Sequence, residues 1–313
     1  MSLTINTNPA AIRASFNLAK NNKNLQDSLT RLSSGKRITK PADDAGGLAV
    51  SMKLTASINR TRAAISNIQN SLSFGEVQDG ALQAGARIVD RLAELKSLSL
   101  DVMKSDADIA NYNTEFKALQ QQLYAITAES FNGVSLFAST RVTAGADGST
   151  MTFGVHKHTI SVFTSDRGAA GSVVSLNKSA LLSALTFAAT ETTHVSVGTA
   201  ANSRTVLAAE NSANAIDIGD ITLSFFTAAL ENIATLRAEN GATMTRLQFA
   251  EDHLRLSSAN LEAANSRIMD VDVADEVTNY AKYNVQVYAA SAALAQSNLN
   301  MGIVLDLLNF GRK

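Results

Sequence analysis

With 313 residues, 45% of them hydrophobic, and a net charge of −1, the chain can build a core but has no overall attraction for nucleic acid or anionic lipid. It contains no cysteine, which excludes disulfides and thiolate chemistry, and no tryptophan. Only 5% is aromatic, which suits slender helices packed through Ala, Leu, Ile and Val.

The first residues, "MSLTINTNPAAIRASF", have no basic n-region and no continuous apolar run, so a secretory signal peptide is not expected. Leu18, Leu25, Leu29 and Leu32 then make a narrow apolar stripe in a helical segment rich in Asn, Ser and Lys. The connector "SSGKRITK" follows, and Pro41 is the last proline of the chain. Asp43 and Asp44 are placed to cap the next helix or offset its dipole. Gly46 and Gly47 would each weaken its first turn by roughly 1 kcal/mol relative to Ala.

From 52 to 105 the apolar residues recur at heptad spacing: Ile58, Ile65 and Leu72 in one row, Ile68, Leu82 and Val89 beside it. A second helical piece spans 107–129 and stops at Asn132-Gly133, a turn signal. Residues 134–216 change character. Alternation across 151–165 and scattered glycines signal strands and turns, with few large apolar residues, so a small exposed β-rich excursion is expected. Its most apolar run, "ALLSALTFAA", is too short to span a membrane.

The helical pattern resumes near 222. Ile233, Asn240, Leu247, Leu254, Leu261 and Ile268 lie seven apart, a long seam with one polar member. Ile58, Ile65, Leu72, Leu82, Leu247, Leu254, Leu261 and Ile268 are therefore expected to form the core of an antiparallel bundle. At the C-terminus Val277, Tyr280, Val287, Leu294, Met301, Leu305 and Leu308 form a second narrow stripe, interrupted by Asn284, Ser291 and Asn298. Neither terminal stripe can hold a lone helix in water. The simplest partners are the other end of the chain and other copies of it. Residues 1–62 carry ten basic residues against three acids and 269–313 five acids against three bases, a weak complementarity between the ends.

Chemistry-bearing residues are sparse. His156 and His158 share one strand face without a third ligand nearby, and His194 and His253 are isolated. "SSGK" lacks the first glycine of a phosphate loop. The paired acids stand beside no nucleophile or apolar pocket. The basic N-terminal arm offers only Phe16 for base stacking, so a self-assembly surface is the better reading. No catalytic residue, metal site, cofactor, nucleic acid or membrane insertion is expected.

Several linked stretches resemble bacterial flagellins. They are "LTRLSSGKRITKPADDAGGLAVSMKLTASI", "NIQNSLSFGEVQDGALQ" and "FNGVSLF" in the first part of the chain. The second part adds "LENIATLRAENGATMTRLQFAEDHL", "LSSANLEAANSRIMDVDVADEVTNYAK" and "SAALAQSNLNMGIVLDLL". The resemblance covers 1–137 and 222–308 and implies a mainly α protein, a long antiparallel bundle or coiled coil formed by both termini. It divides the chain into five parts. Residues 1–42 and 278–313 are the halves of an inner coiled coil, with a spoke at 33–47. Residues 43–135 and 217–277 are the helices of a rod, and 136–216 is the exposed variable region.

The resemblance further implies an extracellular filament for swimming, whose subunit is exported unfolded through a flagellar type III channel. Implied partners are copies of the chain, an export chaperone on the C-terminal arm, and hook-associated junction and cap proteins. An innate-immune flagellin receptor is implied at the helix aligned with 88–98, where Arg91, Glu94 and Leu95 are kept and Leu98 replaces a common Gln. A hook–filament junction protein would share the terminal layers, but such proteins typically carry Pro directly after the aspartate pair, and this chain has "KPADDAGGLAVS". Two departures stand out: Leu98, and an extension "NFGRK" after the final Leu pair.

Overall fold

The computed structural model describes residues 8–138, 159–188 and 204–310. Residues 1–58 and 259–313 form one compact unit and residues 59–258 a second. The expected boundaries at 42/43 and 277/278 thus fall inside the first unit.

Helix starts and stops follow local chemistry. In α1 (Pro9–Ser34), the Asn8 side chain accepts from the Ala11 N–H at 3.1 Å, Pro9 opens the first turn, and Gly35 ends the helix at φ 67°. In α2 (Ala45–Ser99), Asp44 Oδ1 accepts from the Gly47 N–H at 2.8 Å. The chain breaks at 100–105, where the Ser105 hydroxyl and Asp108 carboxylate form a reciprocal capping box that opens α3 (Asp106–Thr127). Later come α5 (Leu223–Met269) and α6 (Val273–Phe310), separated where Asp272 Oδ1 accepts from the Ala274 N–H at 2.9 Å.

The glycine pair has two different jobs. A Cβ on Gly47 would lie 2.3 Å from Asp44 Oδ2 and 2.9 Å from Ile38 Cδ1, so the Asp44 cap needs a glycine there. Gly46 meets nothing closer than 3.6 Å. Gly46→Ala is expected to raise the melting temperature of assembled polymer through helix propensity, by up to about 1 kcal/mol. Gly47→Ala is expected to give no gain, because it displaces the cap and buried Ile38. Equal stabilisation by both would contradict this reading.

Unit two is a helical core with strands laid on it. Ile68, Leu82, Val89, Leu92 and Leu95 of α2, Phe116 and Leu123 of α3, and Phe226, Ile233 and Leu247 of α5 are buried together. Phe116 meets Phe226 edge-on at 6.1 Å between ring centres. Of the expected core residues, Ile58, Leu82, Leu247 and Leu254 are buried, while Ile65, Leu72, Leu261 and Ile268 are half-buried. The polar member of the α5 seam is satisfied on one side: Asn240 Nδ2 donates to the Gly75 carbonyl at 2.8 Å. Gly75 permits that approach, since a Cβ there would meet Met244 Cγ at 3.0 Å.

Among the described residues, unit two also holds three antiparallel two-stranded pairs: β1 (Ser130–Phe131) with β2 (Val134–Ser135), β3 (Thr159–Phe163) with β4 (Val173–Asn177), and β5 (Thr186–Ala188) with β6 (Arg204–Val206). Asn132 and Gly133 turn the first at φ 49° and 77°, as their sequence signal indicates. A short helix, α4 (Leu181–Ala184), precedes β5. The described part of the central region is not merely an exposed excursion. Val162, Leu176, Leu181, Leu185, Phe187 and Leu207 are buried in the same apolar cluster as the helices, and Phe187 meets Phe225 edge-on at 5.5 Å.

Candidate assembly surface

The two chain ends pair. α1 and α6 run antiparallel, with Asn8 Nδ2 donating to the Ser297 carbonyl at 3.0 Å and Asn21 Nδ2 to the Gln286 carbonyl at 3.4 Å. The buried Ser28 hydroxyl donates to the Glu276 carbonyl at 3.5 Å. On α1 the covered residues are Ala11, Ala14, Leu18, Asn21, Leu25, Ser28 and Leu32, alternating steps of three and four. On α6, Val287 and Leu294 are half-buried in the same manner. Leu29 departs from the expected stripe: it is 54% exposed, one residue past the covered position taken by Ser28. The side chains of Met301, Leu305 and Leu308 lie outside the described residues.

This seam is weakly apolar. Ala, Asn and Ser hold positions that Leu or Ile would fill in a stable coiled coil, and the Asn and Ser side chains reach carbonyls of the partner helix. The sequence pattern in Leu alone missed these members, although the alternating spacing of the small and polar residues was there to read.

The connector between α1 and α2 is tied to the end of α5. The Arg37 N–H donates to the Met269 carbonyl at 2.6 Å, its guanidinium donates to the Ile268 carbonyl at 2.9 Å, and the Val271 N–H donates to the Gly35 carbonyl at 3.1 Å. These bonds satisfy carbonyls that a helix end leaves open. Within the connector, Asp43 accepts from the Thr39 and Lys40 N–H groups, both at 3.0 Å, so it holds a turn while Asp44 alone caps α2. Lys40 pairs with Asp27 at 2.8 Å. Buried Glu276 stands 3.9 Å from Arg31, a loose pair.

Several carboxyls are held below their usual range. The Lys40 and Thr39 N–H groups do this for Asp43, the Ser105 N–H for Asp108, Lys117 for Asp217, and Arg255 for Glu251. A depressed folded value contributes stability above the unfolded carboxylate range near pH 4, and that stability is lost as pH falls through the folded value. The melting temperature of unit two is therefore expected to be flat down to about pH 5 and to fall below about pH 4. Asp217→Asn with Glu251→Gln should flatten the acid limb, and an unchanged limb would contradict the assignment.

The helix carrying the expected receptor contacts is only partly available. Leu95 is fully buried in the core of unit two, so it cannot contribute surface. Leu98 is 38% exposed. Arg91 is engaged by Glu94 at 2.7 Å and Glu115 at 2.9 Å, and both carboxylates push its pKa further up.

Among the described residues no group of three or more His, Cys, Asp or Glu could hold a metal ion, and no helix is long and apolar enough to cross a membrane. His253 is exposed on α5, while His156, His158 and His194 lie outside the described residues.

Fold and surface together define a mainly α protein whose first and last helices pair along a weakly apolar seam. Residues 5–142 match the bacterial flagellin N-terminal helical region, and residues 223–308 match the bacterial flagellin C-terminal helical region. The flagellar filament 30.7 kDa core protein of Treponema maltophilum is 30% identical over 308 residues, spanning 98% of this chain and 100% of the relative. The flagellin of Bacillus subtilis (strain 168) is 30% identical over 329 residues with the same coverage. The flagellin of Listeria monocytogenes is 27% identical over 310 residues. The chain belongs to the bacterial flagellin family.

Proposed function

We infer that this chain is a structural subunit of an extracellular bacterial flagellar filament and polymerises with copies of itself. One observation carries the reading: the first matched family region opens with α1 and the second closes with α6, these two helices pair with each other, and the pair leaves large apolar residues uncovered. Negative-stain electron microscopy of the purified protein after salting-out tests it. Long filaments are expected; their persistent absence would favour a junction adaptor made in few copies.

The finer steps follow from the weakness of the terminal seam. Before assembly 1–42 and 278–313 are unfolded, because stripes this narrow cannot stabilise isolated helices. They fold as they enter the filament core. An unfolded chain suits export through a flagellar type III channel. Amphipathic arms exposed at micromolar concentration associate, so a chaperone covers the C-terminal arm through Val287, Leu294, Met301, Leu305 and Leu308 until export. Hook-associated junction and cap proteins bound the polymer at its ends.

Recognition by the innate-immune receptor would rest on Arg91, Glu94 and Leu98. A polar partner lost from a buried contact costs about 1–3 kcal/mol, so activation is weaker than with glutamine at 98. Leu98→Gln is expected to raise potency in a reporter assay, and equal potency would remove the argument.

A further inference from the structure

Asparagine is followed by glycine at two places in this chain, Asn132-Gly133 and Asn240-Gly241. Glycine has no side chain to hinder its own amide nitrogen, so that nitrogen can reach the side-chain amide carbon of the asparagine before it. The covalent chemistry of the two pairs is the same. The fold treats them in opposite ways.

Asn132 and Gly133 form the tip of the β1–β2 hairpin, and both are exposed. The register joins Phe131 to Val134, which leaves the Gly133 amide beyond the ladder. Each strand is only two residues long, so opening the tip breaks little structure. Asn240 is 5% exposed, and its Nδ2 donates to the Gly75 carbonyl of α2 at 2.8 Å. The Gly241 amide lies inside α5, where each N–H bonds to the carbonyl four residues back. Freeing that pair means opening α5 against α2 in the core of unit two, which costs far more.

We propose that Asn132 is a spontaneous deamidation site of the folded chain, and that its place in the core protects Asn240 from the same reaction. Hydroxide removes the proton of the Gly133 amide, and the nitrogen attacks Asn132 Cγ. A C–N bond forms, the bond from Cγ to the side-chain NH2 breaks, and ammonia leaves with a proton from water, which regenerates the hydroxide. The product is a five-membered succinimide. Water opens this ring at either carbonyl and gives aspartate or isoaspartate. No oxidant, reductant or other co-reactant is needed.

The two products differ in what they do to the fold. Aspartate suits the same turn, since Asp-Gly is also favoured in two-residue hairpins. Isoaspartate routes the main chain through the former side chain and so lengthens it by one carbon. The loop length sets the register of Ser130 with Ser135 and Phe131 with Val134, so this product disturbs both. Phe131 then loses its edge-on contact with buried Phe74, now 6.2 Å between ring centres. A reaction at the surface is carried by the hairpin into the core.

The test holds the intact chain at mildly alkaline pH, natively and in urea, and follows both asparagines by peptide mapping with mass spectrometry. In the native chain Asn132 is expected to convert more than about tenfold faster than Asn240, because its opening costs less. In urea the two rates are expected to converge to within about threefold, since neither pair is then held by structure. Equal rates in the native chain would overturn the proposal, as would an Asn132 that stays intact there while the urea sample converts. A preference for Asn132 as large in urea as in the native chain would trace it to local sequence and remove the role of the fold. Asn132→Gly is the unreactive control, and it keeps the turn because Gly-Gly suits it too. Aged wild type is expected to develop a lower-melting species that equally aged Asn132→Gly lacks. Converted wild type that melts as the control does would contradict the link from turn to core.

Discussion

Replacing Leu254 with aspartate is expected to destabilise the 59–258 unit by about 3–5 kcal/mol, a large fraction of the 5–15 kcal/mol that holds a typical domain together. Leu254 is 5% exposed and belongs to the apolar cluster shared by α2, α3 and α5. The substitution removes its burial and puts a carboxylate into an apolar cluster. For a unit of this size that corresponds to a drop of about 10 °C in the melting temperature. Phe249→Asp is the control. That residue lies on the same helix but is 70% exposed, and surface changes are usually within about 0.5 kcal/mol. A melt of Leu254→Asp indistinguishable from the Phe249 control would place Leu254 outside the core.

The second large effect is on assembly. A chain cut to 43–277 loses α1 and most of α6, yet retains every residue of unit two. It is expected to stay folded, because the buried cluster from Ala64 to Leu254 is intact, and to remain monomeric at any concentration at which the full chain polymerises. The loss is total rather than graded, since each terminal helix needs the other for burial and the pair supplies the uncovered apolar faces. Sedimentation of the cut chain beside the full one checks this. Native-like filaments from the cut chain would show that the arms do not drive assembly.

Much of this architecture is legible in the sequence, because helical periodicity and caps are local signals. The heptad rows of 52–105 and 233–268 correspond to α2 and α5, and Asn132-Gly133 to the first hairpin turn. The break at 100–105 is subtler. It has no proline or glycine, but Ser105 with Asp108 is a capping-box pair that marks the new start. The burial of the central strands could not be read locally. Leu176, Leu181 and Phe187 look sparse in their own segment, and become core only because residues distant in sequence, such as Phe225 against Phe187, supply the other wall. Leu95 misleads for the same reason: it follows exposed Glu94 on α2, yet it is fully buried in the apolar cluster that α2 shares with α3 and α5. The terminal seam was legible in its leucines and hidden in its alanines, Asn21 and Ser28, whose roles depend on carbonyls of the opposite helix.

Amide hydrogen exchange across 9–34 and 273–310, in free subunit and in polymer, tests most directly whether the chain ends fold on assembly. These amides are expected to exchange at nearly unprotected rates in the free subunit and to become strongly protected in the polymer. Amides around Leu82, Leu92 and Leu247 should be protected in both states. Protection of the terminal helices in the free subunit equal to that in the polymer would contradict folding on assembly, because the hairpin would then exist before any second copy was present.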